Sequence, residues 1–270
     1  MECYQVYAVK YGTRAARRHE NFIFRDQHDG PMSMDYYVWA VRSENRTVVI
    51  DVGFNRAEGE RRGREFLRCP SDGLAMIGID TDRVADVIIT HLHYDHVGNL
   101  DRFPRARFHL QDSEMSYATG RSMTHPVLRG AYAVDDVVEM VRLIYGDRVV
   151  FHQGDDDIAP GVSVHHLGGH TRGLQAVRVH TARGWVVLAS DASHYYANMN
   201  DDNPFPIVES VTDMLEGHRR LRKLADSDDH IIPGHDPEVM RRYAAPSKEM
   251  EGIVVSLHEP PLRDAGRDAK

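Results

Sequence analysis

Apolar and β-branched residues fall in short runs along this chain, separated by polar, glycine-bearing or proline-bearing stretches, which is the patterning of strands and turns. Runs at 4–9, 36–41, 47–51 and 85–90 read as the strands of a first half, and runs at 107–110, 149–152, 162–167, 175–180, 185–190 and 230–233 as those of a second. Helical spacing is clearest over 207–225. There Ile207, Val208, Val211, Met214, Leu215, Leu221 and Leu224 recur on one face, with Pro206 at the entrance. Shorter helices are expected at 136–145 and 55–67. Strand runs interleaved with helices in both halves predict an α/β fold, two β-sheets packed face to face with helices outside, an αβ/βα sandwich.

Length and composition narrow the function. The 270 residues allow one large domain or two fused halves; the reading adopted is a single domain over 1–270 whose polar tail, about 260–270, frays. Hydrophobic residues at 41% and charged residues at 27% are a globular balance, so the chain is expected to fold. A formal charge of -8 supplies no general basic field, which argues against nucleic-acid partners. The one basic cluster, Arg14, Arg17 and Arg18, reads as a solvated loop. Two cysteines, Cys3 and Cys69, are too few for a disulfide framework, and no stretch approaches the length of a membrane span or a signal peptide. A cytoplasmic protein with no membrane partner is therefore expected.

The chemistry concentrates after the run 85–90. His91, His93, Asp95 and His96 place four potential ligands within six residues, and imidazole nitrogen and carboxylate oxygen are standard zinc donors. With 17 histidines in the chain, chance produces such a pattern on the order of 0.01 times. The competing reading, a polar surface loop that happens to hold histidines, weakens further because His170, Asp191 and His235 each follow a predicted strand, two of them beside glycines. Loops at strand ends are where a rigid scaffold positions functional groups.

These motifs resemble the metallo-β-lactamase superfamily, with its His-x-His-x-Asp-His run and downstream His, Asp and His, over roughly 4–237. The resemblance implies that His91, His93 and His170 hold one metal, that Asp95, His96 and His235 hold a second, and that Asp191 bridges them. It implies two zinc ions, or other divalent metals such as iron, manganese or cobalt, and a metal-bound hydroxide that attacks a carbonyl while Asp95 carries the proton to the leaving oxygen. Within the superfamily the chain is most similar to the N-acyl-homoserine lactonase group in length, in the stretch between motif and next ligand, and in the segments around Asp191 and His235. The implied activity is metal-dependent hydrolysis of an ester bond in a small lactone, a quorum-quenching reaction, by a monomer or homodimer. Thioester hydrolysis resembling glyoxalase II is the rival; a β-lactamase or a di-iron redox module fits less well, since Asp191 is present and His93 stands where di-iron relatives carry glutamate.

One departure concerns the substrate carbonyl. Related lactonases place a tyrosine three residues beyond the bridging aspartate, whereas this chain has His194 there, followed by Tyr195; either is a candidate hydrogen-bond donor. Asp51, in Asp-Val-Gly, resembles the aspartate that supports metal histidines, and a turn aspartate is an equal alternative. His165, His166, His109, His152, His180 and His230 read as structural. Among Phe22, Phe24, Met32, Met34, Tyr36 and Tyr37, core packing is expected for the strand positions, and Met32 and Met34 are candidates for the wall of an acyl pocket.

Overall fold

A computed structural model describes residues 1–24 and 29–262. The tail expected to fray lies, from 263 onward, outside the described residues. The strands are β1 (Gln5–Arg14), β2 (Met34–Arg42), β3 (Thr47–Ile50), β4 (Glu65–Phe66), β5 (Asp86–Ile88), β6 (Arg107–Gln111), β7 (Val149–His152), β8 (Asp156–Ala159), β9 (Val162–His166), β10 (Gln175–Thr181), β11 (Gly184–Ser190), β12 (Ile231–Pro233) and β13 (Val254–Ser256). One sheet runs β13-β1-β2-β3-β5-β6-β7, with β4 also paired to β1, and the other runs β12-β11-β10-β9-β8.

Period-two alternation sorts the side chains into layers. Along β2, Tyr37, Trp39 and Val41 face the second sheet and pack with Val164, Val177, Val186 and Leu188. Tyr36, Val38 and Ala40 face the other way, toward Leu74, Met115 and Met140 of the covering helices. The outer face of the second sheet, Ala176, Val187 and Ala189, is covered by Leu221 from the helix Val211–Leu224. The four layers are the expected sandwich.

Two helix expectations need correction. The helix expected over 207–225 begins at Val211, because the Ser210 side chain accepts the Asp213 N–H and caps it there, leaving Ile207 and Val208 in the preceding loop. The helix expected over 55–67 stops at Arg61, and Glu65 and Phe66 instead pair with β1. Among the described residues no helix is long and apolar enough to cross a membrane.

Candidate metal centre

Strand ends assemble the centre. β5 leads through Ile89 and Thr90 into His91, Leu92 and His93, and the short helix Tyr94–Val97 then carries Asp95 and His96. β11 ends at Ser190, whose φ of 47° turns the chain so that Asp191 leaves the sheet. β12 lies parallel to β11 with Ser190 opposite Pro233, so His235 emerges beside Asp191. Gly234 is needed at that junction, since a Cβ there would meet the Ser190 carbonyl oxygen at 2.7 Å. His170 follows Gly168 and Gly169, both at positive φ.

All seven expected ligands, His91, His93, Asp95, His96, His170, Asp191 and His235, are buried and meet at one place. Ligand atoms of His91, His93 and His170 lie within 4.8 Å of one another, as do those of Asp95, His96 and His235, and those of His91, His96 and Asp191. Asp191 divides its two oxygens between the sets. Its Oδ2 lies 3.3 Å from His170 Nε2 and 3.8 Å from His91 Nε2, whereas its Oδ1 lies 3.0 Å from His235 Nε2 and 3.4 Å from His96 Nε2.

The donor set suits divalent cations. His91 Nε2, His96 Nε2 and Asp191 Oδ1 are buried without a hydrogen-bond partner among the described residues, a costly arrangement unless something else satisfies them. Burial, reinforced by neighbouring imidazoles, holds His91 and His93 well below the usual histidine range, so both keep a free lone pair. Burial alone would raise Asp191, but His235, His194 and His96 outweigh it and hold the carboxylate ionised. For His96 the desolvation that lowers its pKa is outweighed by Asp51, Asp191 and Asp95, which raise it. The carboxylates thus demand positive charge in a site lined by nitrogen and oxygen donors.

The far sides of the candidate ligands are tied down. Asp51 Oδ2 lies 2.7 Å from His96 Nδ1 and 2.8 Å from Thr90 Oγ1, and its Oδ1 accepts from Thr90 N at 2.8 Å. His170 Nδ1 lies 2.6 Å from the Ile207 carbonyl, and His235 Nδ1 lies 2.9 Å from that of Asp35. Glu114, which the sequence did not single out, is fully buried and accepts from Leu92 N, Tyr132 Oη, Thr171 Oγ1 and Gly173 N. It joins the His91–His93 loop to the His170 loop.

A cavity of about 270 Å³ opens onto Asp95, Asp191 and His235. His194 lines it, but its Nε2 lies 2.9 Å from Asp191 Oδ2 and its ring stacks on Phe205 at 3.3 Å and 4°. Burial drives its pKa down to about 3, so the ring is neutral, with Nε2 engaged by the carboxylate. Tyr195 is not brought to the cavity: its hydroxyl donates to the Ser33 carbonyl at 3.1 Å. Met34 lines the cavity and Met32 does not. Tyr36, for which core packing was expected, and Tyr94, which sequence reasoning missed, are there instead, with Tyr94 Oη donating to Tyr36 Oη at 3.2 Å and accepting from Arg64 Nε at 3.0 Å. Arg14 also lines it, which corrects the solvated-loop reading: it is the last residue of β1.

Residues 34–239 match the sequence model of the metallo-beta-lactamase superfamily. The chain belongs to this superfamily. It is similar to the probable metallo-hydrolase Rv2300c of Mycobacterium tuberculosis, 24% identical over 265 residues, covering 86% of this chain and 77% of that one. It is also similar to the acyl-coenzyme A thioesterase MBLAC2 of Gallus gallus, 27% identical over 219 residues, 73% of this chain and 71% of that one. A solved N-acyl homoserine lactone hydrolase, with the product N-hexanoyl-L-homoserine at its catalytic metal center, shares the fold at a TM-score of 0.73, 20% identity, and coverage of 89% and 96%. As a superfamily member with this His/Asp cluster, the chain is a metallo-hydrolase.

Proposed function

We propose that the chain opens a lactone ring, with N-acyl-homoserine lactones as the leading substrates. The observation that carries the proposal is the division of Asp191 between two donor sets, supported by the likeness to the lactone hydrolase fold. His91, His93, His170 and Asp191 Oδ2 would hold one cation, and Asp95, His96, His235 and Asp191 Oδ1 the other, zinc being the metal that best suits these donors. Two such cations supply an acidified water as nucleophile and Lewis-acid stabilisation of the developing charge.

The chain's own residues do the rest. Asp95, at the cavity wall, receives the proton released on attack and returns it to the leaving alkoxide. Arg64 donates to Tyr94 and Tyr94 to Tyr36, which leaves the Tyr36 hydroxyl hydrogen to meet the substrate carbonyl oxygen. His194 holds Asp191 in place. The thioesterase relative favours a second reading, hydrolysis of an acyl thioester at the same centre.

The test compares initial rates on N-hexanoyl-homoserine lactone and on a hexanoyl thioester, with metal content measured in the same preparation. About two divalent ions per chain, loss of turnover on chelation and a faster lactone rate are expected. Full turnover in metal-free protein would refute the centre, and a faster thioester rate would replace the lactone.

A further inference from the structure

β4 is only two residues long, yet its register has a consequence at the cavity. Gly12 pairs with Phe66 and Thr13 with Glu65, so continuation of this antiparallel register sets Arg64 opposite Arg14. Like charges directly opposite on neighbouring strands destabilise a sheet. Both residues line the cavity that holds Asp95, Asp191 and His235.

Their hydrogen-bonding capacity is incompletely used. Arg14 Nε is buried without a partner among the described residues, and its Nη2 lies 3.6 Å from Glu20 Oε1. Arg64 uses Nε on Tyr94 and Nη1 on the Arg62 carbonyl, which leaves Nη2 free among the described residues. The third cation of the group, Arg62, shares Glu58 with Arg61 and is anchored to the carbonyls of Gly130 and Tyr132. Of the carboxylates lining the cavity, Asp95 and Asp191 belong to the candidate metal centre, which leaves Glu20 alone beside Arg14 and Arg64 and one positive charge over.

We propose that Arg14 and Arg64 form an oxyanion-recognition subsite, which moves the preferred substrate, within the lactones and esters, from the neutral N-acyl-homoserine lactones to one carrying a carboxylate near its scissile carbonyl. The identification of the substrate rests on the hydrolase reading above. One surplus charge and the free Arg14 Nε and Arg64 Nη2 donors fit the two oxygens of a monoanion, and guanidinium–carboxylate bonds are among the stronger charge-assisted hydrogen bonds. The small cavity keeps the carboxylate close to the reacting carbon. Binding energy gained there orients the carbonyl toward Asp191 and Asp95.

The test uses 5-oxotetrahydrofuran-2-carboxylate and its carboxamide, a charged and a neutral lactone of nearly equal shape. Wild-type metal-loaded protein should favour the acid by about tenfold or more in kcat/KM, mainly through KM, and Arg14→Gln or Arg64→Gln should each lower that ratio about tenfold. A wild-type ratio near one, or favouring the amide, overturns the proposal even if neither variant folds. Calorimetric binding of glutarate and of its monoamide gives a readout independent of turnover, because both place one carboxylate at the metal centre and only glutarate offers a second. Tighter glutarate binding that both variants abolish, with neither lactone opened, would remove the lactonase reading and keep the subsite. Equal binding of the two would remove the subsite whatever the turnover.

Discussion

Replacing Asp51 by asparagine isolates the support of a single ligand. Asp51 is fully buried, with φ at 59°, a conformation that asparagine tolerates and alanine does not. The asparagine carbonyl oxygen can still accept from Thr90 N, now at 2.8 Å, but the amide nitrogen would then face His96 Nδ1, now 2.7 Å from Oδ2. Two N–H groups cannot share that contact, so His96 must move its proton to Nε2, the nitrogen that faces Asp191 and Asp95. That nitrogen then has no lone pair for a metal. Loss of such outer support weakens metal binding by roughly 10–100-fold, about 1.4–2.7 kcal/mol. Stability should fall by only about 1–2 kcal/mol, the difference between charged and neutral hydrogen bonds. Asp51→Ala leaves Thr90 N and His96 Nδ1 unpaired at about 1–3 kcal/mol each and adds backbone strain of about 1–2 kcal/mol, so it should lose roughly 3–8 kcal/mol. Competition with a chromogenic chelator gives the two stepwise metal affinities, and urea denaturation gives stability. Asp51→Asn protein that holds both ions with wild-type affinity would refute the reasoning.

Glu114→Gln should cost about 2–4 kcal/mol in urea denaturation, because whichever way the amide is turned its nitrogen meets two of the donors that the carboxylate now accepts. Tyr36→Phe should lower kcat about 100-fold with metal content unchanged, whereas Tyr195→Phe should leave kcat intact and cost about 1 kcal/mol of stability through its bond to Ser33; equal kcat values in the two variants would reverse the assignment. Burial, with repulsion from Glu58 and Asp135 exceeding the pull of Arg62, pushes the Asp136 carboxyl up to about 7. Its protonated form is the one the fold tolerates, so this contribution to stability is complete below the usual carboxylate pKa and is lost as pH rises to about 7. Asp136→Asn should therefore be nearly neutral around pH 4 and stabilising by about 1–2 kcal/mol around pH 8, after allowance for partial exposure, as read from denaturation curves at the two pH values.

The sandwich was legible because alternation along a strand and the lengths of the runs are local properties. Tyr36 to Val41 shows how far that reaches. A run apolar on both faces declares a doubly covered strand, yet it does not say that Tyr36, at one end, meets the cavity rather than only core. The residues of the candidate centre were legible for a related reason: four of them lie in one short string, and the others stand just after apolar runs. The start of the helix at Val211 was misplaced because Pro206 is a permissible first-turn residue, but Ser210 supplies the side-chain acceptor that closes the first turn.

What escaped sequence reasoning depends on partners distant along the chain. Glu114 matters because its acceptors reach Leu92 on one side and Thr171 and Gly173 on the other, and nothing in its own neighbourhood announces those loops. Arg14 looked like one member of a basic loop until β4 paired with β1 and brought Arg64 across from it. Both cases share a physical cause. A buried carboxylate, or two facing cations, is unfavourable when its partners are ignored, so such residues persist only where the tertiary arrangement or a bound group repays them. For Glu114 the repayment is visible, as four donors from three segments. For Arg14 and Arg64 it is incomplete among the described residues, and both line the cavity, where the proposed oxyanion would complete it.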